Sequence, residues 1–314
     1  METLKFNKEF FLVKFPIIFP VIYALILYQF PNFETQLIII TILLLAETHF
    51  GATWPFFLDK VNYKYISENK IKLISIPILI IIFCLLGFFL VTNIFYLIFF
   101  AANMYHVTRQ SFGISKLYCN NDNENNYQTN SIYFFNIVFF VIGFLRFFVG
   151  FIENEMLFEI NVITILILCS VFTHYLFKFG FSEKFFTLVT GCLIFYPICF
   201  VSSPIHAIIM GVTMHYTQYL YLTYNICSGR KTNSIKEGYS FLSSKFSNYF
   251  IVILIYSVIM TFFSVFGKND TQLQNLIIIP IIGQMLHFYL DSQLWKFSEK
   301  HNRVNTLIYI NNLN

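Results

Sequence analysis

The sequence predicts an all-α integral membrane protein, a single helical domain over residues 1–314 with about ten transmembrane helices. Composition is the first observation behind this fold class, because 57% of the residues are hydrophobic and only 11% are charged. Length is the second: apolar runs of about 16 to 22 residues, long enough to cross a bilayer, recur along the whole chain. Most basic residues lie between these runs, so they indicate an orientation in a membrane rather than a surface for nucleic acid.

Ten apolar runs meet the length requirement. They are 15–30, 37–58, 73–91, 94–114, 132–151, 158–177, 185–201, 204–224, 249–266 and 276–295. The first run ends in Tyr-Gln-Phe-Pro without a small-residue cleavage site, so we expect an uncleaved span rather than a signal peptide. Little more than two serines separates the seventh and eighth runs, which could therefore form a re-entrant pair.

The positive-inside rule favours a cytoplasmic position for both termini. With that orientation, all but two of the 20 basic residues fall on the cytoplasmic side or at its edge. The two exceptions are Arg146, within the fifth run, and Lys268. The polar segment 119–130 is expected to be a mobile cytoplasmic loop. We expect the protein in the inner, or plasma, membrane of a bacterium.

Four histidines share one depth in the predicted bundle. They are His49, His106, His215 and His287, on the second, fourth, eighth and tenth runs. All four runs cross in the same direction, and each histidine lies about 17–20 Å from the outer surface at 1.5 Å per residue. A shared depth favours a metal ion held by neutral imidazoles. The alternative is a structural role, in which each histidine only ties its helix to a neighbour. His174 is the strongest candidate for a fifth member.

Polar residues at helical spacing accompany the histidines, as expected for groups that orient metal ligands or take part in catalysis. They are Glu47 on the second run, Arg109 and Gln110 on the fourth, Gln218 on the eighth and Asp291 on the tenth. Glu47 would need a local helix bulge to reach His49. Asp291 follows His287 by one turn and is expected to accept the N–H of that ring, although the spacing also allows a ligand or general base.

His49-Phe50-Gly51 is similar to the H-F-G element of the Brp/Blh-type carotene-cleaving membrane dioxygenases. His287 followed by Asp291 resembles the final P-H-x4-D element of that family, here with three intervening residues and no proline. The family's P-H-G-x-x-D and H-S-x-R-H elements are missing, and so are the histidine boxes of fatty-acid desaturases. The resemblance covers a few short elements, and it implies a polytopic architecture in which single histidines from separate helices hold iron.

Imidazole ligands without thiolates suit iron, as Fe²⁺, and also zinc or copper. A ligand layer reached through lipid fits oxidation by iron and O₂ better than hydrolysis, which needs a supply of water. We therefore expect an oxygenase or dioxygenase that acts on a lipophilic small molecule such as a carotenoid, isoprenoid or lipid. Its partners would be that substrate, O₂ and membrane lipid, with no nucleic acid.

A transporter or channel with a histidine-lined polar path is the competing class. Arg109 supports this class best, because an inward-facing arginine at that depth could bind an anionic substrate. The convergence of the polar residues on one layer argues against it. Haem held by two of the histidines is a third reading, which leaves the other two histidines unexplained.

Overall fold

The structure, a computed structural model, describes residues 6–119, 121–237, 245–269 and 274–310. The side chains of residues 154, 231–237 and 266–269, among them Lys268, lie outside the described part, as do both chain ends. The predicted orientation rests partly on these residues. All regular structure in the described ranges is helical, so the all-α class is confirmed for them.

Eleven helices carry most of the described chain. They are α1 (Ile18–Gln29), α2 (Pro31–Phe57), α3 (Asn62–Glu68), α4 (Ile71–Leu90), α5 (Thr92–Tyr118), α6 (Asp122–Phe148), α7 (Asn154–Phe179), α8 (Glu183–Leu193), α9 (Pro204–Glu237), α10 (Phe246–Asn269) and α11 (Ile278–Leu294). Short helical turns lie at Phe10–Lys14, at Tyr196–Cys199, at Gln274–Ile277 and over residues 300–310.

Five of these helices are long and apolar enough to cross a membrane, which supports a membrane protein. These segments, found among the described residues, are Pro31–Phe57, Ile71–Leu90, Asp122–Phe148, Glu155–Phe179 and Phe246–Val265. Helices α5, α9 and α11, which carry His106, His215 and His287, are not among them. Polar stripes lower the hydropathy of α5 and α9, and α11 has 17 residues. Ten membrane helices with both termini inside therefore remain a prediction.

Two predicted spans differ from the helices that form. The seventh run overlaps α8, which has 11 residues and extends about 16 Å, whereas the hydrocarbon core is about 30 Å thick. The first run forms α1, which has 12 residues. A 3-10 turn, Tyr196–Cys199, follows α8 before α9 begins. The re-entrant pair considered above remains a prediction.

The chain divides into two compact units. The first comprises Met1–Ile38 and Met104–Gln218. In it the polar segment 119–130 is mostly helical, which contradicts the predicted mobile loop. The side chain of Asn121 caps α6 by accepting hydrogen bonds from the backbone N–H groups of Asn123 and Glu124, at 3.0 and 3.3 Å. Glu124 is buried, accepts a hydrogen bond from the Tyr175 hydroxyl and pairs with Lys184 at 3.2 Å. An asparagine-rich sequence thus begins a helix where capping and charge pairing outweigh its polarity.

The second unit comprises Ile39–Asn103 and Tyr219–Asn314. Helix α11 packs on α4 through an apolar cluster of Cys84, Phe88, Phe95, Ile278 and Ile281. An ion pair is buried in this unit: Arg230, 2% exposed, lies 3.4 Å from the carboxylate of Asp59. The Arg230 guanidinium also donates to the backbone oxygen of Asn305, so it holds the 300–310 segment against the helices.

Gly211, in the first unit, tests how closely α9 packs against the backbone that follows α8. A Cβ on Gly211 of α9 would overlap the backbone oxygen of Ile194, whereas a Cβ on Gly113 of α5 would meet no described atom within 4 Å. We expect Gly211→Ala to cost about 1–3 kcal/mol or more and to lower the unfolding temperature in detergent. Gly113→Ala should unfold at or above the wild-type temperature, because alanine favours a helix. Equal temperatures for the two variants would contradict this packing.

Candidate metal centre

Two of the predicted ligands lie side by side in the second unit. His49, on α2, and His287, on α11, are both fully buried, and their ring centroids are 4.5 Å apart. The ring of Tyr219 lies 4.4 Å from the ring of His49. Phe50 packs edge-on against His287 at 5.1 Å. The pair therefore lies in an aromatic, dry environment where a polar group needs a partner.

A chain of hydrogen bonds leads from His287 to a carboxylate. The hydroxyl of Thr53 lies 2.7 Å from Nδ1 of His287 and 3.0 Å from the hydroxyl of Tyr219. Tyr219 donates to Oδ1 of Asp291 at 2.6 Å. The indole N–H of Trp295 donates to the same oxygen, also at 2.6 Å. We call these four residues the relay: Thr53, Tyr219, Asp291 and Trp295.

The direction of each bond in the relay follows from what its members can donate. A carboxylate oxygen accepts, so Tyr219 gives its single proton to Asp291. Thr53 must then give its own proton to the Tyr219 oxygen, and it accepts from His287. Nδ1 of His287 therefore carries the proton, and Nε2 is the ring nitrogen with a lone pair for a metal. Hydrogen bonds of this kind fix the tautomer of metal-binding histidines.

The other two predicted ligands lie together in the first unit. His106, on α5, and His215, on α9, are both buried, with ring centroids 5.5 Å apart. Gln218, three residues after His215, donates to the backbone oxygen of Val13 at 2.7 Å. This predicted supporting amide therefore also ties α9 to the N-terminal turn.

Within the second unit, the imidazoles of His49 and His287 could together serve as ligands of a metal ion. Their donor set fits such a role, because neutral imidazoles bind iron, copper and zinc. The donors do not select among these metals.

Glu47 is buried, and one of its oxygens accepts a hydrogen bond from Gln284 at 3.1 Å. A π-helical turn, Ile42–Ala46, ends directly before it, so a bulge of the predicted kind is present in α2. Gln284 precedes His287 by three residues on α11. Glu47 and Gln284 thus join the two helices that carry the histidine pair.

The polar residues of the fourth run do not all face the interior, as the sequence predicts they should. Arg109 is exposed, and its guanidinium donates to the Tyr105 hydroxyl at 3.2 Å, so the inward-facing arginine is not observed. Gln110 is half-buried. Residues 106 and 109 are about 60° apart around a helix, which is enough to put one inside and the other outside. His174, the proposed fifth member, is exposed and stacks on Tyr127.

Sequence reasoning missed the parts played by Thr53, Tyr219 and His206. Helical spacing predicts that the N–H of His287 donates to Asp291. Instead, Nδ1 of His287 bonds Thr53, and the Tyr219 hydroxyl links Thr53 to Asp291. His206 is buried between the Tyr23 hydroxyl and the Glu34 carboxylate, at 2.7 Å from each. Helical spacing shows which residues share a face, but it does not show which helix that face meets.

The relay predicts a specific effect of Thr53. Thr53→Val keeps the shape of the side chain but removes the hydroxyl, so the His287 ring loses the group that fixes its tautomer. We expect metal affinity, measured by competition with a chelator, to fall about 10–100-fold. Thr53→Ser keeps the hydroxyl and should stay close to wild type. Equal affinities for the valine and serine variants would contradict the relay.

The role of Asp291 can be tested by a substitution that removes its charge and keeps its shape. In Asp291→Asn the side-chain oxygen can still accept from Tyr219 and Trp295, so the relay persists with a weaker acceptor. We expect bound metal to be retained, with affinity reduced by about 10–100-fold. Complete loss of metal, with the helical circular dichroism unchanged, would show instead that Asp291 is itself a ligand.

Comparison of the chain with protein-family models, with curated proteins and with solved structures gave no match. The resemblance to the Brp/Blh-type dioxygenases therefore stays an expectation from short motifs. The geometry of the histidines and the relay is the basis for any functional conclusion.

Proposed function

We propose that this protein is a membrane-embedded oxygenase that holds a metal ion, preferentially iron, with histidines and oxidises a lipophilic molecule. The ligands would be His49, His106, His215 and His287. The observation that carries the proposal is the pair of His49 and His287, whose ring centroids lie 4.5 Å apart. The relay fixes the tautomer of His287.

A purely structural role explains this pair less well. A histidine that only ties two helices together needs one hydrogen bond, and Thr53 alone would supply it. The relay continues from Thr53 through Tyr219 to Asp291, where two donors converge on one oxygen. Such a chain holds Nε2 of His287 as an electron-pair donor in a buried place, which is what a metal ligand requires.

The surroundings favour oxidation of a lipophile over hydrolysis. Aromatic rings of Phe50 and Phe288 pack against His287 at 5.1 and 5.9 Å, which limits water at the histidine pair. A bound iron ion would supply the redox chemistry with O₂. The residues of this chain would bind that ion, fix its ligands and keep the site dry, which suits a carotenoid, isoprenoid or other lipid substrate.

The competing transporter or channel loses its strongest support, because Arg109 is exposed rather than inward-facing. The relay also ends within one unit at Asp291 and Trp295. A conducting path would need polar groups at successive depths, whereas the relay serves one histidine.

Metal analysis of the detergent-purified protein tests the proposal. We expect about one iron or other first-row ion per chain, lost in His49→Ala and His287→Ala because each removes a ligand. His174→Ala is the matched control, since that histidine is exposed, and it should keep the metal. Oxygen consumption on adding membrane lipid extract would then separate an oxygenase from a metal-binding carrier.

A stably folded wild-type protein without metal would contradict the proposal and favour transport. Equal metal loss in His174→Ala and His287→Ala would also contradict it, because the loss would then not follow from the buried ligands.

A further inference from the structure

Arg109, which the metal centre does not use, lies on an outer face of α5 in the first unit. Four residues spaced four, three and four apart share this face of the helix: Tyr105, Arg109, Phe112 and Lys116. The phenylalanine is half-buried and the other three side chains are exposed. We call these four residues the basic stripe.

Aromatic rings lie against both cations of the stripe. The Arg109 guanidinium donates to the Tyr105 hydroxyl at 3.2 Å, and its central carbon lies 5.9 Å from the centre of that ring. The Lys116 ammonium lies 5.9 Å from the centre of the Phe112 ring. In the described part of the chain no carboxylate, including that of Asp122 at the start of α6, forms an ion pair with either cation. The stripe thus carries two positive charges without an anion to balance them.

The predicted depth of the stripe makes such an anion necessary. Arg109 lies five residues before the end of the fourth run at Ile114, so its backbone is about 7–8 Å inside the predicted span. Lys116 lies just beyond that end. A charged side chain that faces lipid is costly unless its head reaches the interface and pairs there.

Helix α6 changes from polar to apolar beside the stripe. Its Tyr133 ring lies 6.2 Å from the phenylalanine ring of the stripe. Toward the N-terminus of α6, the same face carries Asn126 and Asn130, both exposed. Toward the C-terminus it carries Ile137 and Val141, which are 59% and 46% exposed. A tyrosine between a polar and an apolar section is typical of a helix that passes from lipid headgroups into hydrocarbon.

We propose that the basic stripe binds the phosphate of an anionic phospholipid, whose acyl chains lie along the apolar face of α6. The Arg109 guanidinium can donate two parallel N–H groups to two phosphate oxygens, and Lys116 supplies a second positive charge. Ile137 and Val141 provide an apolar surface for the first methylene groups. This inference goes beyond the proposed oxygenase and does not depend on the metal.

The charge of the stripe favours an anionic lipid over a zwitterionic one. A zwitterionic headgroup would bring an ammonium group close to two cations, whereas phosphatidylglycerol carries the same phosphate with no positive charge. The order of polar and apolar residues on α6 favours a lipid over a protein partner, because a lipid has its headgroup and acyl chain in that same order.

Binding of phosphatidylglycerol to the purified full-length protein tests the inference. Delipidated protein in a neutral detergent is titrated with phosphatidylglycerol or with phosphatidylcholine of the same acyl chains, and native mass spectrometry counts the bound lipid. We expect wild type to bind the first phosphatidylglycerol about tenfold more tightly than the first phosphatidylcholine, because the stripe attracts a net negative charge.

The variants assign the two cations. Arg109→Gln should weaken phosphatidylglycerol binding about tenfold, because it removes a charge-assisted pair of donors. Arg109→Lys keeps the charge but loses the paired geometry, so its affinity should lie between those of wild type and the glutamine variant. Lys116→Gln should cost about fivefold.

Lys178→Gln is the matched control. Lys178 is an exposed lysine of the same unit, and its ammonium lies 5.3 Å from the centre of the Phe179 ring, as that of Lys116 lies over an aromatic ring. It belongs to α7, outside the stripe, so phosphatidylglycerol affinity should not change. All the substituted side chains are exposed, and helical circular dichroism should match wild type throughout.

Three results would overturn the inference. Equal affinities of wild type for the two lipids would show that the stripe does not select an anion. Equal losses in Lys178→Gln and Arg109→Gln would show attraction to the overall charge of the protein instead of a site. A lipid-free wild-type dimer that Arg109→Gln converts to monomers would show that this face joins two copies of the chain. Metal content of the same samples should stay at the wild-type value in every variant, so this test is separate from that of the oxygenase.

Discussion

The need to pair every polar group in a dry interior is the constraint on which this structure depends. Hydroxyl, indole and imidazole groups inside a helix bundle have no water to bond, so each must find a partner on a neighbouring helix. In the second unit this need produces a directed chain from His287 to Asp291. Because the carboxylate only accepts and each hydroxyl has one proton to donate, the chain has only one arrangement that satisfies all of its members. The tautomer of a buried ring is thereby fixed by hydrogen bonds that end at the Asp291 carboxylate.

The same constraint explains the charged groups of the first unit. Lys14 is buried, pairs with Glu183 and lies 3.7 Å from Glu9, which also accepts a hydrogen bond from the Tyr118 hydroxyl at 2.6 Å. These charges sit near helix ends and join the N-terminal turn to helices that are distant in sequence. Breaking one partner would leave the other as an unpaired buried charge, so such networks constrain the register of the helices more than they add net stability.

The helical class and the burial of the four histidines could be predicted from the sequence, because apolar length and helical spacing are local properties. The exposed position of Arg109 could not, since a difference of about 60° around a helix decides between interior and surface. Nor could the pairing of Thr53 with His287, which depends on the order in which helices pack. The shortness of α8 was also hidden, because an apolar run of 17 residues reads alike whether it continues as a helix or turns. In each case the outcome depends on contacts between distant parts of the chain, which local sequence patterns do not reveal.

The two tryptophans of the chain, Trp54 and Trp295, have positions with a spectroscopic consequence. Trp295 donates to Asp291 at the end of the relay, and Trp54 packs against Phe57 on α2. Each indole therefore reports on a different chemical environment through its own emission. Replacing either one by phenylalanine would leave a protein with a single intrinsic fluorophore, in which quenching by a bound ion and shifts caused by a bound lipid can be followed separately and without an attached label.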